Sequence, residues 1–486
     1  MDERYGFLEH RLAGEQQTLA RPLRALVRNE PVVCREHMSV REAVGIMRTH
    51  GVGSVIVVDE GTRPIGIFTT TDLVAVAARG LDEQAVAEVM TRTPFALPAH
   101  ALAYEAALAM IGTHIRHVLV MDEDRIIGVV SERDLFSLQR LGLGEITTEI
   151  RLAGRIELLA DIAAEIRKLA RLLVEEGVAP EQLTLFVSVL NDRLCQRIIE
   201  IERKNHQWEG ISWCWLAFGS EGRFEQTFST DQDNGILFSA HEQAKPDAVR
   251  ARLLPFARSV NEALDACGFP LCKGQVMASN PKLCLSLEEW QFKMGKWLES
   301  PQPKALLDAS IYFDFRPLYG DATLATALRQ WVLPRTRANP AFLRLMAENA
   351  LQAKPPLGRL RDFTTEDAPN APHSINLKLY GVRPFVDTAR IYALAHALPQ
   401  TNTGDRLRAA RAGTGMGVAE TEATIEAFFV IQRLRLRKQA GLQHLTDEGA
   451  NRIDPDQLNA FERYILKGAF RQARALQNRL ALDYQI

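Results

Sequence analysis

The chain has 486 residues, of which 47% are hydrophobic and 24% charged, so it is too long for one compact domain and has ample material for buried cores. Lys and Arg total 58 against 60 Asp and Glu, a net charge of -2 that argues against a strongly basic nucleic-acid binder and an acidic disordered tail. The six cysteines are scattered without a Cys-x-x-Cys pair, which reads as buried reduced thiols and not a zinc site. The first residues, MDERYGFLEHRLAGEQQ, are charged and lack the apolar stretch of a signal peptide, and no run has the roughly eighteen apolar residues of a membrane span. The expectation is a cytoplasmic protein with no membrane partner.

After a helical extension at 1–27, residues 28–144 carry an internal repeat. Glu42 and Ala43 align with Glu105 and Ala106, Asp59 with Asp122, and Gly66 with Gly128. Each copy reads as a helix, an apolar β-branched strand (SVIVVD and HVLVMD), a turn, a second strand and a new helix, with strands buried on both faces. Each copy ends in the pattern Gly-h-h-Thr/Ser-x-x-Asp, namely Gly66 to Asp72 and Gly128 to Asp134. A short hydroxyl at a helix N-cap leaves backbone N–H groups for a phosphate, and a carboxylate one turn later suits ribose hydroxyls; the same residues also serve as plain helix caps. The repeat resembles a CBS-domain pair. That resemblance implies adenine-nucleotide binding through Thr69, Asp72, Ser131 and Asp134.

Residues 145–206 read as a helical connector, with Ile156, Leu159, Ile162, Ile166, Leu169 and Leu173 on one stripe and a second helix after Pro180.

From 207 to 335 the pattern changes. An apolar strand, ISWCWLAF, runs into Gly219-Ser220, a turn follows, and Asp231-Gln-Asp233 opens another apolar strand. Residues two apart on a strand point to one side, so Asp231 and Asp233 present paired carboxylates, a hard oxygen set suited to Mg²⁺ or Mn²⁺ with a polyphosphate. Gly219 permits close backbone approach, and Ser220 offers N–H and hydroxyl to a phosphate. The arrangement resembles the nucleotidyltransferase superfamily of DNA polymerase β. That superfamily expects a third carboxylate, for which Asp314 in the short β-like run IYFDFRP is the candidate, completing a metal-binding triad. The wording of GSEGRFEQTFSTDQDNGI, LCKGQVMASNP and DFRPLYGD is similar to a bacterial family of CBS-domain nucleotidyltransferases related to the uridylyltransferases of the PII protein. Arg223 is a candidate phosphate ligand, with a structural ion pair as the alternative.

Residues 336–486 read as a helical domain in which HSINLKLYGVRPFVDTAR resembles the same family's C-terminal region. Pro384 suits the first turn of a helix, and Lys378, Arg383 and Arg390 are placed to reach a triphosphate or to pair with Asp387 or Glu420. Arg433, Arg435, Arg437 and Lys438 read as a solvated basic face.

The expected fold class is α+β multidomain: a CBS pair, a polymerase β-like domain with a mixed sheet, and a helical C-terminal domain. The resemblance implies a metal-dependent, uridylyltransferase-like transfer of a nucleoside monophosphate from an NTP. The acceptor is a protein or small molecule, a regulatory protein among the candidates, and the CBS pair would regulate the transfer as a signalling device, in a homodimer. Asp231, Asp233 and Asp314 would be catalytic and hold the metal, while Gly219, Ser220, Arg223, Lys378 and Arg383 would bind nucleotide. No His-Asp dipeptide occurs, which disfavours the hydrolase half of the PII enzymes, and the short N-terminus leaves no room for a preceding cyclic-nucleotide domain. The alternatives are a non-catalytic nucleotide sensor and an RNA nucleotidyltransferase, the latter disfavoured by Gly-Ser-Glu-Gly-Arg at the turn and by the net charge.

Overall fold

A computed structural model describes residues 22–27, 30–61, 63–77, 83–113, 115–123, 125–131, 142–206, 210–229, 231–239, 245–299, 310–358, 362–368, 371–442 and 447–486. The chain forms two units, Met1–Glu145 and Ile146–Ile486.

In the first unit the two copies of the repeat build two sheets. The first has strand order β1 (Val33–Arg35), β2 (Ser54–Val58), β3 (Pro64–Thr69), β4 (Thr91–Arg92), and the second β5 (Ala96–Pro98), β6 (His117–Asp122), β7 (Arg125–Ser131). In each, the first pair is parallel and the next is an antiparallel hairpin. The repeated glutamate has a local explanation. Glu42 accepts from Ser39 N at 2.8 Å and Glu105 from Leu102 N at 2.7 Å, so each satisfies an otherwise unpaired donor at the start of its helix. The apolar strands are buried as expected, and Ile56, Val58 and Ile67 of the first copy share a core with Leu119 of the second.

The second unit is organised on a mixed four-stranded sheet of order β10 (Cys284–Ser286), β9 (Asn234–Ser239), β8 (Ser212–Ala217), β11 (Arg316–Gly320). Alternation along β8 sends Trp213 and Trp215 against Phe256 of helix Pro246–Ala266, while Cys214 and Leu216 enter a core shared with Trp290 and Leu328. That same core continues through Phe385, Phe428 and Phe470 of the C-terminal helices, so the regions 207–335 and 336–486 share one core. The connector expected at 145–206 belongs to the same unit from Ile146 on. Helices Ile156–Glu175 and Pro180–Arg203 form a hairpin that packs on Pro246–Ala266 and on Val418–Ala440. Helix Arg383–Ala395 begins with Pro384, as the sequence suggests, but is preceded by a π-helical turn over Lys378–Val382. Among the described residues no helix is long and apolar enough to cross a membrane, and all six cysteines are free and buried.

Candidate active site

Asp231 and Asp233 lie immediately before β9, which starts at Asn234 and not at Asp231 as the sequence suggests. The intervening Gln232 points the other way and anchors the segment: its Nε2 donates to Asn261 O at 2.9 Å and Phe269 O at 2.8 Å, and its Oε1 accepts from Asn261 Nδ2 at 2.7 Å. This alternation leaves both carboxylates together. With the Cys272 thiol they form a group whose ligand atoms all lie within 4.8 Å of one another. Cys272 Sγ is 3.5 Å from Asp233 Oδ1. Burial, and then the charge of Asp231, push the Asp233 carboxyl up to about 7, against smaller opposing effects from Cys272, Lys378 and Arg223. Two crowded carboxylates, one of them resisting ionisation, are a donor set that a divalent cation would relieve.

The turn before them is shaped for this approach. Gly219 has φ of 56°, and a Cβ there would stand 3.1 Å from Asp233 Oδ2 and 3.0 Å from Ile311 Cδ1. At Gly222 a Cβ would fall 1.8 Å from the Asp314 carbonyl oxygen, so the second glycine of Gly-Ser-Glu-Gly-Arg is dictated by the backbone of residue 314. Gly219, Ser220, Asp231 and Asp233 line a cleft of about 500 Å³, whose remaining wall comes from the C-terminal region through Lys378, Arg383, Arg390 and Arg435. The π turn sets Lys378, which is exposed, at this cleft.

Asp314 does not join the pair, which corrects the metal-binding triad expected from the sequence. The run around it is not a strand: Ser310–Phe313 is a 3₁₀ turn and β11 starts only at Arg316. The Asp314 side chain is fully buried and surrounded by three guanidinium groups. Arg223 Nη1 reaches Oδ2 at 2.6 Å, Arg406 Nη1 reaches Oδ1 at 2.6 Å, and Arg390 binds both oxygens. Burial alone would raise this carboxyl, but Arg390, Arg406 and Arg223 outweigh it and hold it well below the usual carboxylate range. Asp314 thus lacks both free lone pairs for a metal and the basicity to take a proton from an acceptor.

The same network accounts for the other arginines. Arg223 also bonds Glu225 through Nε at 2.7 Å, and Glu225 accepts from Thr403 N at 2.7 Å. Arg383 Nε and Arg390 Nη1 hold opposite oxygens of Asp387 at 3.0 and 2.7 Å. Arg223, Arg383 and Arg390 therefore line the cleft while committed to carboxylates, whereas Lys378 has no such partner among the described residues. Sequence reasoning missed Cys272, Arg406 and the burial of Arg435. Alternation on helix Val418–Ala440 carried the only usable signal: Arg433, Arg437 and Lys438 are exposed as expected, but Arg435 is 5% exposed, on the side of Gln432 and Gln439.

In the first unit Thr69 and Asp72 pair with each other. Thr69 Oγ1 donates to Asp72 Oδ2 at 2.8 Å, and Asp72 Oδ2 also accepts from Thr69 N at 2.9 Å, a cap on helix Thr70–Ala77. Ser131 ends β7, and Asp134 lies outside the described residues.

Comparison with known proteins matches both units, the second through two family models. Residues 164–304 match the family described as "Putative nucleotidyltransferase DUF294", residues 340–484 the "Putative nucleotidyltransferase substrate binding domain", and residues 23–79 and 86–140 the CBS domain. Among curated relatives, an arabinose 5-phosphate isomerase of Yersinia pestis is 35% identical over 99 residues, 20% of this chain and 30% of the isomerase. An uncharacterised protein of Methanopyrus kandleri is 31% identical over 109 residues, 22% of this chain and 56% of that protein. The chain thus spans between about a third and a little over half of these relatives. Among solved structures, a CBS-domain protein of Agrobacterium tumefaciens is 30% identical over 25% of this chain and 96% of its own, with a TM-score of 0.24. A CBS domain protein of Pyrobaculum aerophilum, solved in complex with AMP, is 24% identical over 26% of this chain and 99% of its own, with a TM-score of 0.24.

Proposed function

We propose, from the premise that this chain belongs to the CBS-domain family of nucleotidyltransferases, that it transfers a nucleoside monophosphate from an NTP to an acceptor hydroxyl in the cleft beside Asp231 and Asp233, with the α–β phosphoanhydride bond broken and pyrophosphate and a proton released. The observation that carries this reading is the pairing of those two carboxylates in front of the Gly219–Ser220 turn, within a cleft roofed by a cationic wall. Asp231 and Asp233 would hold Mg²⁺ or Mn²⁺, with Cys272 at the edge of the set. A bound divalent cation would neutralise developing charge on the phosphates of the NTP. Ser220 and Lys378 bind and orient the triphosphate, Ser220 by its hydroxyl and backbone N–H, Lys378 by its ammonium. Arg223, Arg383 and Arg390 act less directly: held by Glu225, Asp314 and Asp387, they keep the wall of the cleft rigid and positively charged. Asp314 positions this wall.

The acceptor is a protein or small molecule, and the uridylyltransferase-like subclass is the working choice. The CBS pair, through Thr69, Asp72, Ser131 and Asp134, would sense an adenine nucleotide and regulate transfer, in a homodimer. Incubating the full chain with each labelled NTP and Mg²⁺ in cell lysate, and following label into product, tests the reading. Label must appear with the wild type and vanish with the Asp231→Asn, Asp233→Asn double variant; transfer that survives the double variant defeats it.

A further inference from the structure

Among the described residues five arginines are buried: Arg223, Arg316, Arg390, Arg406 and Arg435. Four of them have carboxylate partners, namely Glu225 and Asp314 for Arg223, Asp192 for Arg316, Asp314 and Asp387 for Arg390, and Asp314 for Arg406. Arg435 has none. Its Nε and Nη2 donate to Asn451 Oδ1 at 3.0 and 2.7 Å, and its Nη1 to Gln432 Oε1 at 2.6 Å, all neutral acceptors. Glu225, the carboxylate whose charge acts on Arg435, is already committed to Arg223 Nε and Thr403 N. Burial, with the Arg223 charge adding to it, pushes the Arg435 guanidinium down to about 10.

A buried guanidinium with no counter-ion is costly, and a folded protein tolerates it chiefly where an anion arrives from outside. Three of the five N–H donors of Arg435 are used, which leaves one on each terminal nitrogen, and the side chain lines the cleft. Asn451 and Gln432 fix the plane of the fork in advance, the preorganisation that bidentate recognition of a phosphate or carboxylate requires. The charges of Arg223, Arg390 and Arg406 are already matched by the Asp314 carboxylate, and that of Arg383 by Asp387, whereas that of Arg435 is not.

We infer that Arg435 is a further anion-binding residue of this cleft and takes a phosphate or carboxylate group of the bound ligand on its two remaining N–H donors. The inference rests on the reading of the cleft as the transfer site and narrows its ligands: either the triphosphate tail reaches Arg435, or the acceptor carries an anionic group.

The test uses the full chain without divalent cation and inorganic phosphate as the probe. Phosphate should raise the melting temperature of the wild type and bind in calorimetry. Arg435→Gln should weaken that binding by at least about tenfold, the size of one charge-assisted hydrogen-bonded contact, and Arg435→Lys should fall between, keeping charge but losing the fork. The lysine variant serves if the glutamine variant does not fold. No phosphate effect on the wild type, or an undiminished effect in either variant, overturns the inference. The source follows from competition: phosphate displaced by Mg²⁺–NTP assigns the triphosphate, and phosphate bound alongside Mg²⁺–NTP assigns the acceptor. Because the phosphate arm contains no metal and no turnover, it is independent of the Asp231→Asn, Asp233→Asn test. Arg435-dependent phosphate binding without any nucleotidyl transfer would remove the transfer reading alone.

Discussion

Arg390 holds Asp314 by two parallel hydrogen bonds, Nε to Oδ1 at 2.9 Å and Nη2 to Oδ2 at 2.6 Å. The two residues come from regions 76 positions apart, and the bond ties helix Arg383–Ala395 to the segment that leads into β11. With Arg223 and Arg406 on the same carboxylate, the wall of the cleft and its floor are one electrostatic unit.

Asp314→Asn should therefore be a stability variant before it is an activity variant. It removes the carboxylate partner of Arg406 and one of the two partners of Arg223 and Arg390, and breaking a buried pair typically costs about 3–5 kcal/mol. Urea unfolding is the measurement. An Asp314→Asn protein as stable as the wild type but unable to bind divalent metal would reinstate Asp314 as a ligand.

The acid limb of stability should carry the same signature. The folded Asp314 carboxyl is held far below its ordinary 3.8, so its contribution is fully present above that pH and is lost as pH falls below it. Wild-type stability should drop more steeply below pH 3.8 than that of Asp314→Asn. Equal slopes would mean that the three arginines do not hold the charge.

Asp233 has the opposite sign. Its folded carboxyl is raised to about 7 from 3.8, so metal-free stability should decline as pH rises between those values and level off above. Asp233→Asn should be free of this decline, and Mg²⁺ or Mn²⁺ should restore the wild type at pH 8 while leaving the variant unchanged. Melting temperatures with and without EDTA decide it; a metal effect equal in both proteins counts against the assignment.

For the CBS pair, calorimetry of AMP, ADP and ATP on the Asp231→Asn, Asp233→Asn protein isolates nucleotide binding from the metal site. Asp72→Ala should weaken the heat if Asp72 meets the ribose. Since Asp72 also caps helix Thr70–Ala77, a loss of about 1 kcal/mol in stability with unchanged nucleotide binding would mark it as a cap only.

Regulation predicts a further effect in the intact chain. An adenine nucleotide bound at the CBS pair should change NTP turnover by about 5–150-fold, the usual range of coupling between two sites. Asp72→Ala should abolish the modulation and leave the basal rate. Turnover indifferent to a nucleotide that demonstrably binds would end the regulatory proposal.

Local pattern carried much of this molecule. The repeated Glu42 and Glu105, the apolar runs of β2 and β6, the Gly219 turn and the Asp231–Asp233 spacing each express a constraint within a few residues, a cap, a pleat or a backbone angle, and periodicity reveals such constraints directly. The division of unit Ile146–Ile486 was not legible in this way, because the core shared by Leu216, Trp290 and Phe428 depends on which apolar faces meet in space and not on where each lies in sequence.

The fate of the charged residues belonged to the tertiary structure alone. Asp314 looked like a third ligand because an aspartate beside apolar residues reads the same whether a metal or an arginine stands opposite it. Arg435 looked solvated because three exposed basic neighbours surround it in sequence. What separates these cases is the partner: Arg223, Arg390 and Arg406 close on Asp314, while among the described residues neutral Asn451 and Gln432 meet Arg435. Composition and spacing set which charges the chain carries. Burial makes the pairing of each decisive, since a charge removed from water must be matched at a distance of a few ångströms, and only the packed fold supplies that match.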